Sequence, residues 1–401
     1  MSDAVDDAAL AAASACRTNG DLGGAVRALK RALKSAPEQA RLWNELGLAQ
    51  EDNNQASDAA VSYRRALALQ PRSADFANNL GNALRALDES QAALQAYREA
   101  AEFAPSAPQA HTNIGDVLQA GGEIEQAVKA YHAALDVDPR YIPARYLLAC
   151  VELMRGRPEV ALEHAQRCLD VDPFAPDVLA LKVIVLRELG RDGEAKVLCD
   201  VERFVHEVML SPPPGYGHIR RFNRALEAYI LERSNLTRDP YKASTRGGRH
   251  SDDLMLNPTG PALELRHMLQ QAFGEYAQSL PRDADHPFLS RPIDRVQLVA
   301  QANILDSGGF LIPHVHPHAW VSGAYYLRIP KEIKSDGGSR AGWIRFGGAS
   351  DEIRPVREPE FHYVRPREGM LLLFPSYFYH ATVPFSAKKH RMSLGVDVIA
   401  A

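Results

Sequence analysis

The chain has 401 residues, 46% hydrophobic and 24% charged, with a formal net charge of −4 at pH 7. That balance gives no electrostatic reason to expect a nucleic acid or an anionic membrane as partner. No stretch approaches the roughly 18 consecutive apolar residues of a membrane span. The acidic start Met1-Ser-Asp-Ala-Val-Asp-Asp lacks the basic and apolar segments of a secretory leader. Cys16, Cys150, Cys168 and Cys199 are irregularly spaced and read as reduced thiols. Both features point to the cytoplasm, and the length suits two or three domains.

The first half is periodic. Prolines stand at Pro37, Pro71, Pro105, Pro139 and Pro173, and alanines at Ala25, Ala59, Ala93, Ala127, Ala161 and Ala195, each series with a step of 34 residues. Within that frame Leu46, Gly47, Ala59, Tyr63, Ala66 and Pro71 mark one unit. Leu80, Gly81, Ala93, Tyr97, Ala100 and Pro105 mark the next, and Ile114, Gly115, Ala127, Tyr131, Ala134 and Pro139 a third. Small residues let two helices approach, the aromatic fills the remaining gap, and proline stops the second helix. The pattern resembles the tetratricopeptide repeat, a helix–turn–helix unit. Five to six units over 1–202 imply an α-solenoid, whose concave face is an extended surface for a protein or peptide. Asn79 and Asn113 share one slot on the first helix of their units. They are candidates to hold a peptide backbone, or ordinary solvated positions.

The periodicity ends near 203. Ser211-Pro-Pro-Pro-Gly215 predicts a stiff linker over 203–217. Helical spacing returns over 218–235 and 261–280. From Arg295 onward the texture becomes short strands: Val296 to Ile304 in alternation, then Trp320–Arg328, Gly342–Phe346, Met370–Phe374 and Arg391–Val398. Asp306-Ser-Gly-Gly reads as a turn. Lys331–Arg340, with Asp336-Gly-Gly338, reads as a lid or a solvated loop. Short strands after a few helices suggest a β-sandwich or jelly roll over 218–401, making the chain a multidomain α + β protein.

The chemistry concentrates in this second half. His314 and His316 are two apart, so extended backbone sends both rings to one face. His380 follows the apolar run Met370–Phe374, and Arg391, Ser393, Gly395 and Asp397 alternate along one face of the last strand. Imidazole suits iron, and a guanidinium with a hydroxyl one strand step away suits a carboxylate. His318 is a further candidate ligand, set back by Pro317. His111, His132, His164, His250, His362 and His390 read as ordinary surface or core residues.

The blocks His314-Val-His-Pro-His-Ala-Trp-Val-Ser-Gly-Ala-Tyr-Tyr-Leu327, Gly342-Trp-Ile-Arg-Phe-Gly347, Gly369-Met-Leu-Leu-Leu-Phe-Pro-Ser376 with His380, and Arg391-Met-Ser393 resemble the Fe(II)/2-oxoglutarate-dependent oxygenases. The resemblance covers roughly 215–400 and implies a double-stranded β-helix (jelly roll) with Fe(II), 2-oxoglutarate and O2 as cofactor and cosubstrates. Carried over, it makes His314, His316 and His380 the iron ligands and Arg391 with Ser393 the carboxylate anchor. Tyr326 then corresponds to a tyrosine that contacts oxoglutarate. Trp320 is a substrate contact or a packing residue. His316 departs from the pattern, because the superfamily usually carries Asp there; a third imidazole leaves the iron more positive and admits three-His chemistry without oxoglutarate. The expected function is hydroxylation of a protein or peptide recruited by the repeats. The alternatives are the same chemistry on a small molecule with the repeats as docking scaffold, or a catalytically silent binding protein.

Overall fold

The computed structural model describes residues 2–18, 21–232, 236–239, 244–290, 296–334, 339–350, 353, 355 and 357–400. The expected Asp336-Gly-Gly338 motif of the lid lies outside the described residues. Helices come in consecutive pairs that match the sequence period. They are α1 (Ser2–Thr18) with α2 (Leu22–Ser35), α3 (Ala40–Asp52) with α4 (Ala56–Leu69), and α5 (Ala74–Ala86) with α6 (Ser90–Phe103). Next come α7 (Pro108–Ala120) with α8 (Ile124–Val137), α9 (Ile142–Met154) with α10 (Pro158–Leu169), and α11 (Pro176–Glu188) with α12 (Asp192–Leu198). No helix among the described residues is long and apolar enough to cross a membrane.

The repeat residues explain the pairing. A Cβ added at Gly47, Gly81 or Gly115 would lie 2.4 Å from Cε1 of Tyr63, Tyr97 or Tyr131 respectively, so each tyrosine ring lies flat on bare backbone. All three tyrosines are fully buried, as are Ala59, Ala93 and Ala127. Each phenol then donates to a polar side chain of the first helix: Glu51 at 2.7 Å, Asn82 at 2.8 Å and Gln119 at 2.8 Å. This lets a buried tyrosine keep its hydroxyl satisfied. Neighbouring units are also stitched by amides, since Asn79 Nδ2 donates to Asn44 at 2.9 Å and Asn113 Nδ2 donates to Asn78 at 2.8 Å.

The chain divides into two compact units, Met1–Val151 and Glu152–Ala401. Helices α10–α12 therefore group with the strands that follow, earlier in the chain than the composition break at 203–217. Side chains account for this. The Tyr377 hydroxyl, fully buried, donates to the Leu198 carbonyl at 2.6 Å. A ring nitrogen of His286 lies 2.9 Å from the Val197 carbonyl, and Arg357 pairs with Asp192 at 3.1 Å. The 203–217 segment is also more than a linker: after α13 (Val201–Phe204), β1 (His206–Met209) joins a sheet.

The remaining elements are α14 (Ile219–Glu232), β2 (Thr237–Arg238), β3 (Thr245–His250), α15 (Pro261–Ser279), β4 (Val296–Leu311), β5 (Val321–Arg328), β6 (Ile344–Phe346), β7 (His362–Val364), β8 (Met370–Pro375), β9 (His380–Thr382) and β10 (Arg391–Ala400). Every pairing is antiparallel. The larger sheet runs β1-β8-β5-β10-β4-β3-β2 and the smaller β7-β6-β9, the two-sheet arrangement of a jelly roll. Asp306-Ser-Gly-Gly is not a turn. β4 continues through it with Gly308 at φ 85°, and a Cβ at Gly309 would sit 2.6 Å from the Gly247 carbonyl oxygen of β3. Those glycines serve a close strand approach, and the register of β3 against β4 shifts beside them.

Candidate functional site

The site lies between the two sheets, and its side chains are placed by strand register. Residues 312–316 lie outside the regular strands, with an isolated bridge at His314. His314 exchanges backbone hydrogen bonds with His380 (3.1 Å each way), and the His316 amide donates to the Ser376 carbonyl at 3.0 Å. Central strand β10 pairs with β4 on one side and β5 on the other, which puts Ser393 opposite both Asn303 and Tyr326. Arg391, Ser393, Gly395 and Asp397 all line one cavity of about 260 Å³, as the period-2 alternation anticipates, together with the three histidines.

His314, His316 and His380 come together, each offering one ring nitrogen within 4.8 Å of the others. Their ring centroids are 4.2 Å apart for His314–His380 and 5.1 Å for the other two pairs. The nitrogens not offered are already engaged. Nδ1 of His314 lies 2.7 Å from the Ile312 carbonyl, Nδ1 of His380 lies 3.0 Å from the Phe378 carbonyl, and Nδ1 of His316 meets the Asp397 carboxylate. A carbonyl only accepts, so Nδ1 of His314 and His380 must carry the proton and Nε2 presents a lone pair. Nε2 of His316 is buried without a partner. Three imidazoles held in this tautomer are a ready donor set for a metal ion. Burial, then the neighbouring His316, brings the His314 pKa down to about 3. Burial and both other rings push His380 well below the ordinary histidine value. Those two rings therefore stay unprotonated, as metal ligation requires.

Deeper in the same cavity Arg391 is 1% exposed, yet it has no acidic partner among the described residues. Its Nη1 donates to Ser393 Oγ at 3.1 Å, its Cζ lies 5.1 Å from the Tyr326 ring centroid, and its Nε is unpartnered. The Tyr326 hydroxyl is likewise buried without a partner, and burial pushes its pKa up to about 12. A buried guanidinium with no anion is costly. Together with an orphaned phenol and a hydroxyl, it forms a cradle whose chemistry matches a carboxylate.

The other sequence candidates fall elsewhere. His318 lines the cavity mouth, is exposed and stands outside the three-histidine cluster. Trp320 is 2% exposed, stacks on Phe288 with centroids 5.1 Å apart and donates its indole N–H to the Phe288 carbonyl at 3.2 Å. It is a packing residue and does not line the cavity. Asn79 and Asn113 are half-buried in the amide links between repeats. Sequence reading passed over Ser322, fully buried, whose hydroxyl donates to Asp397 at 2.7 Å. It also passed over Asn303, which accepts from Thr245 at 2.8 Å beside Ser393.

Residues 301–397 match the family model described as "Putative 2OG-Fe(II) oxygenase". Residues 6–50, 47–108 and 112–176 match tetratricopeptide-repeat models. By these matches the chain joins tetratricopeptide repeats to a segment similar to the 2OG-Fe(II) oxygenases. No curated protein matches it. The solved structures similar to it named here each cover less than half of the chain. MamA is 28% identical with a TM-score of 0.37, covering 40% of this chain and 94% of that one. The pilF protein of Pseudomonas aeruginosa is 20% identical with a TM-score of 0.43, covering 48% and 88%. YrrB, described as a repeat protein with an unusual peptide-binding site, is 22% identical with a TM-score of 0.36, covering 42% and 88%.

Proposed function

We propose that this protein is an Fe(II)- and 2-oxoglutarate-dependent oxygenase that hydroxylates a protein or peptide recruited by its repeats. The observation that carries the reading is a fully buried Arg391, without an acidic partner among the described residues, sharing one cavity with three converging imidazoles. A buried guanidinium without such a partner makes sense when a cosubstrate carboxylate completes it. Fe(II) suits the three nitrogen donors, since imidazole is a borderline ligand that leaves open positions when only three protein groups bind. When bound, iron with 2-oxoglutarate and O2 supplies the oxidising power, releasing succinate and CO2 as a substrate C–H bond is hydroxylated.

The chain's own residues do the rest. His314, His316 and His380 would hold the metal. Arg391, Ser393 and Tyr326 would bind the far carboxylate of 2-oxoglutarate. Burial keeps bulk water from Arg391, which would strengthen that ion pair. The repeats supply an extended surface that a small substrate would not need. In this reading Asn79 and Asn113, already aligned with Asn44 and Asn78, present their remaining hydrogen-bonding capacity to a peptide backbone.

The test is succinate formation by the full-length, Fe(II)-loaded chain, measured with and without candidate peptides. Peptide-stimulated turnover abolished by His380→Ala supports the reading. Equal turnover in His314→Ala, His380→Ala and Arg391→Met would refute the oxygenase assignment. Turnover with a small molecule and indifference to every peptide would refute the substrate class.

A further inference from the structure

We propose that Asp397 is a positioning residue that acts through His316 and supplies the negative charge which three neutral imidazoles cannot; the proposal rests on the metal reading above. Among the described residues lining the cavity Asp397 is the sole carboxylate, and the other charged side chain there, Arg391, is positive. A divalent cation held by three neutral rings beside a guanidinium faces an unfavourable field unless an anion offsets it.

The three imidazoles are not equivalent in what backs them. His314 and His380 donate Nδ1–H to neutral backbone carbonyls. His316 alone is backed by a charge: its Nδ1 lies 2.7 Å from Oδ1 of Asp397 and 2.8 Å from Oδ2. Oδ1 also accepts from Ser322 Oγ at 2.7 Å, and Ser322 sits directly opposite Asp397 in the pairing of β5 with β10. The carboxylate is thus fixed from two strands and aimed at one ring. Two consequences follow. The proton is locked on Nδ1, so Nε2, buried and unpartnered, is the nitrogen offered to the metal. A carboxylate behind an imidazole also raises the basicity of the ligating nitrogen, passing part of its charge to the centre. Strand β10 accordingly serves both halves of the site, Arg391 and Ser393 toward the carboxylate and Asp397 toward the metal.

The experiment is anaerobic calorimetric titration of the full-length chain with Fe(II), with Co(II) as a spectroscopic probe of the ligand set. Asp397→Asn retains an acceptor oxygen for Nδ1–H and removes the charge; Asp397→Ala removes both. Loss of Fe(II) affinity by roughly 10–100-fold in Asp397→Asn, with shifted Co(II) visible bands, supports the proposal. A smaller loss in Ser322→Ala, which leaves the charge but loosens it, supports it independently and guards against a misfolded Asp397 variant. In a His316→Ala background Asp397→Asn should add almost nothing, since the coupling runs through that ring. Wild-type affinity and unchanged Co(II) bands in Asp397→Asn overturn the proposal, as does an equal loss in the His316→Ala background. If the wild-type chain takes up no Fe(II), or keeps it in His314→Ala and His380→Ala, the metal reading itself fails. If wild type binds iron, loses it with His380→Ala and ignores Asp397→Asn, this inference alone fails.

Discussion

Replacing Arg391 by Met should stabilise the metal-free protein while destroying its ability to recognise a dicarboxylate. The guanidinium is 1% exposed, has no carboxylate partner among the described residues and leaves Nε unsatisfied. Burial also holds its pKa below that of a free guanidinium, with Tyr326 opposing that shift. Each buried ion carries an effective desolvation cost of several kcal/mol, and exchanging buried ionic groups for apolar ones of similar volume is neutral or stabilising by about 1–4 kcal/mol. Met fills the stem of the arginine and forfeits one hydrogen bond, to Ser393, worth about 1 kcal/mol net. The balance is a gain of about 0–3 kcal/mol. For a unit the size of Glu152–Ala401 each kcal/mol moves the midpoint by about 2–4 °C. Differential scanning calorimetry of the metal-free chains measures it, followed by the same scans with Mn(II) and 2-oxoglutarate. Wild type should rise on adding both ligands, while Arg391→Met should start as high or higher and gain from Mn(II) alone. An Arg391→Met protein that melts well below wild type, or one still stabilised by 2-oxoglutarate, would refute the reasoning.

The other predictions concern packing and pH. Gly81→Ala drives a methyl to 2.4 Å from the Tyr97 ring, so it should cost about 1–3 kcal/mol by urea titration despite alanine's better helix propensity. Tyr377→Phe strands the Leu198 carbonyl and should lower the stability of the unit Glu152–Ala401 by about 1–3 kcal/mol. His286 is held neutral, burial lowering its pKa more than the Val197 carbonyl raises it. With a depressed folded-state pKa, its contribution is intact above about 6.5 and lost as pH falls below that value, because only the unfolded chain takes the proton. Metal-free wild type should therefore lose up to about 1.4 kcal/mol per pH unit more than His286→Gln between pH 6.5 and the folded-state pKa. Parallel stability curves would contradict this.

Much of the architecture was legible because it is periodic. The 34-residue step located the helix pairs, and Gly81 against Tyr97 shows why: the period repeats a physical contact. The site was legible for a related reason. Two-residue spacing put His314 with His316 and Arg391 with Ser393 on common faces, and the same stripe carried Asp397 into the cavity unrecognised. What stayed hidden depends on partners distant in sequence. β3 reads Thr-Arg-Gly-Gly-Arg-His, with no apolar alternation, and is a strand because β4 and β2 flank it. β1 sits in a stretch that prolines marked as linker, yet it pairs along its whole length with β8. Tyr377 and Leu198 are 179 positions apart, so nothing local announced that helices α10–α12 belong with the strands.

The central claim is that one cavity binds iron through three imidazoles and a dicarboxylate through Arg391. Anaerobic calorimetry, titrating Fe(II) and then 2-oxoglutarate into the full-length chain, tests it most directly. The account predicts one Fe(II) and one 2-oxoglutarate per chain, the second requiring the first, with iron binding lost in His380→Ala and 2-oxoglutarate binding lost in Arg391→Met. Iron uptake that survives His380→Ala, or 2-oxoglutarate binding indifferent to both iron and Arg391, would contradict it.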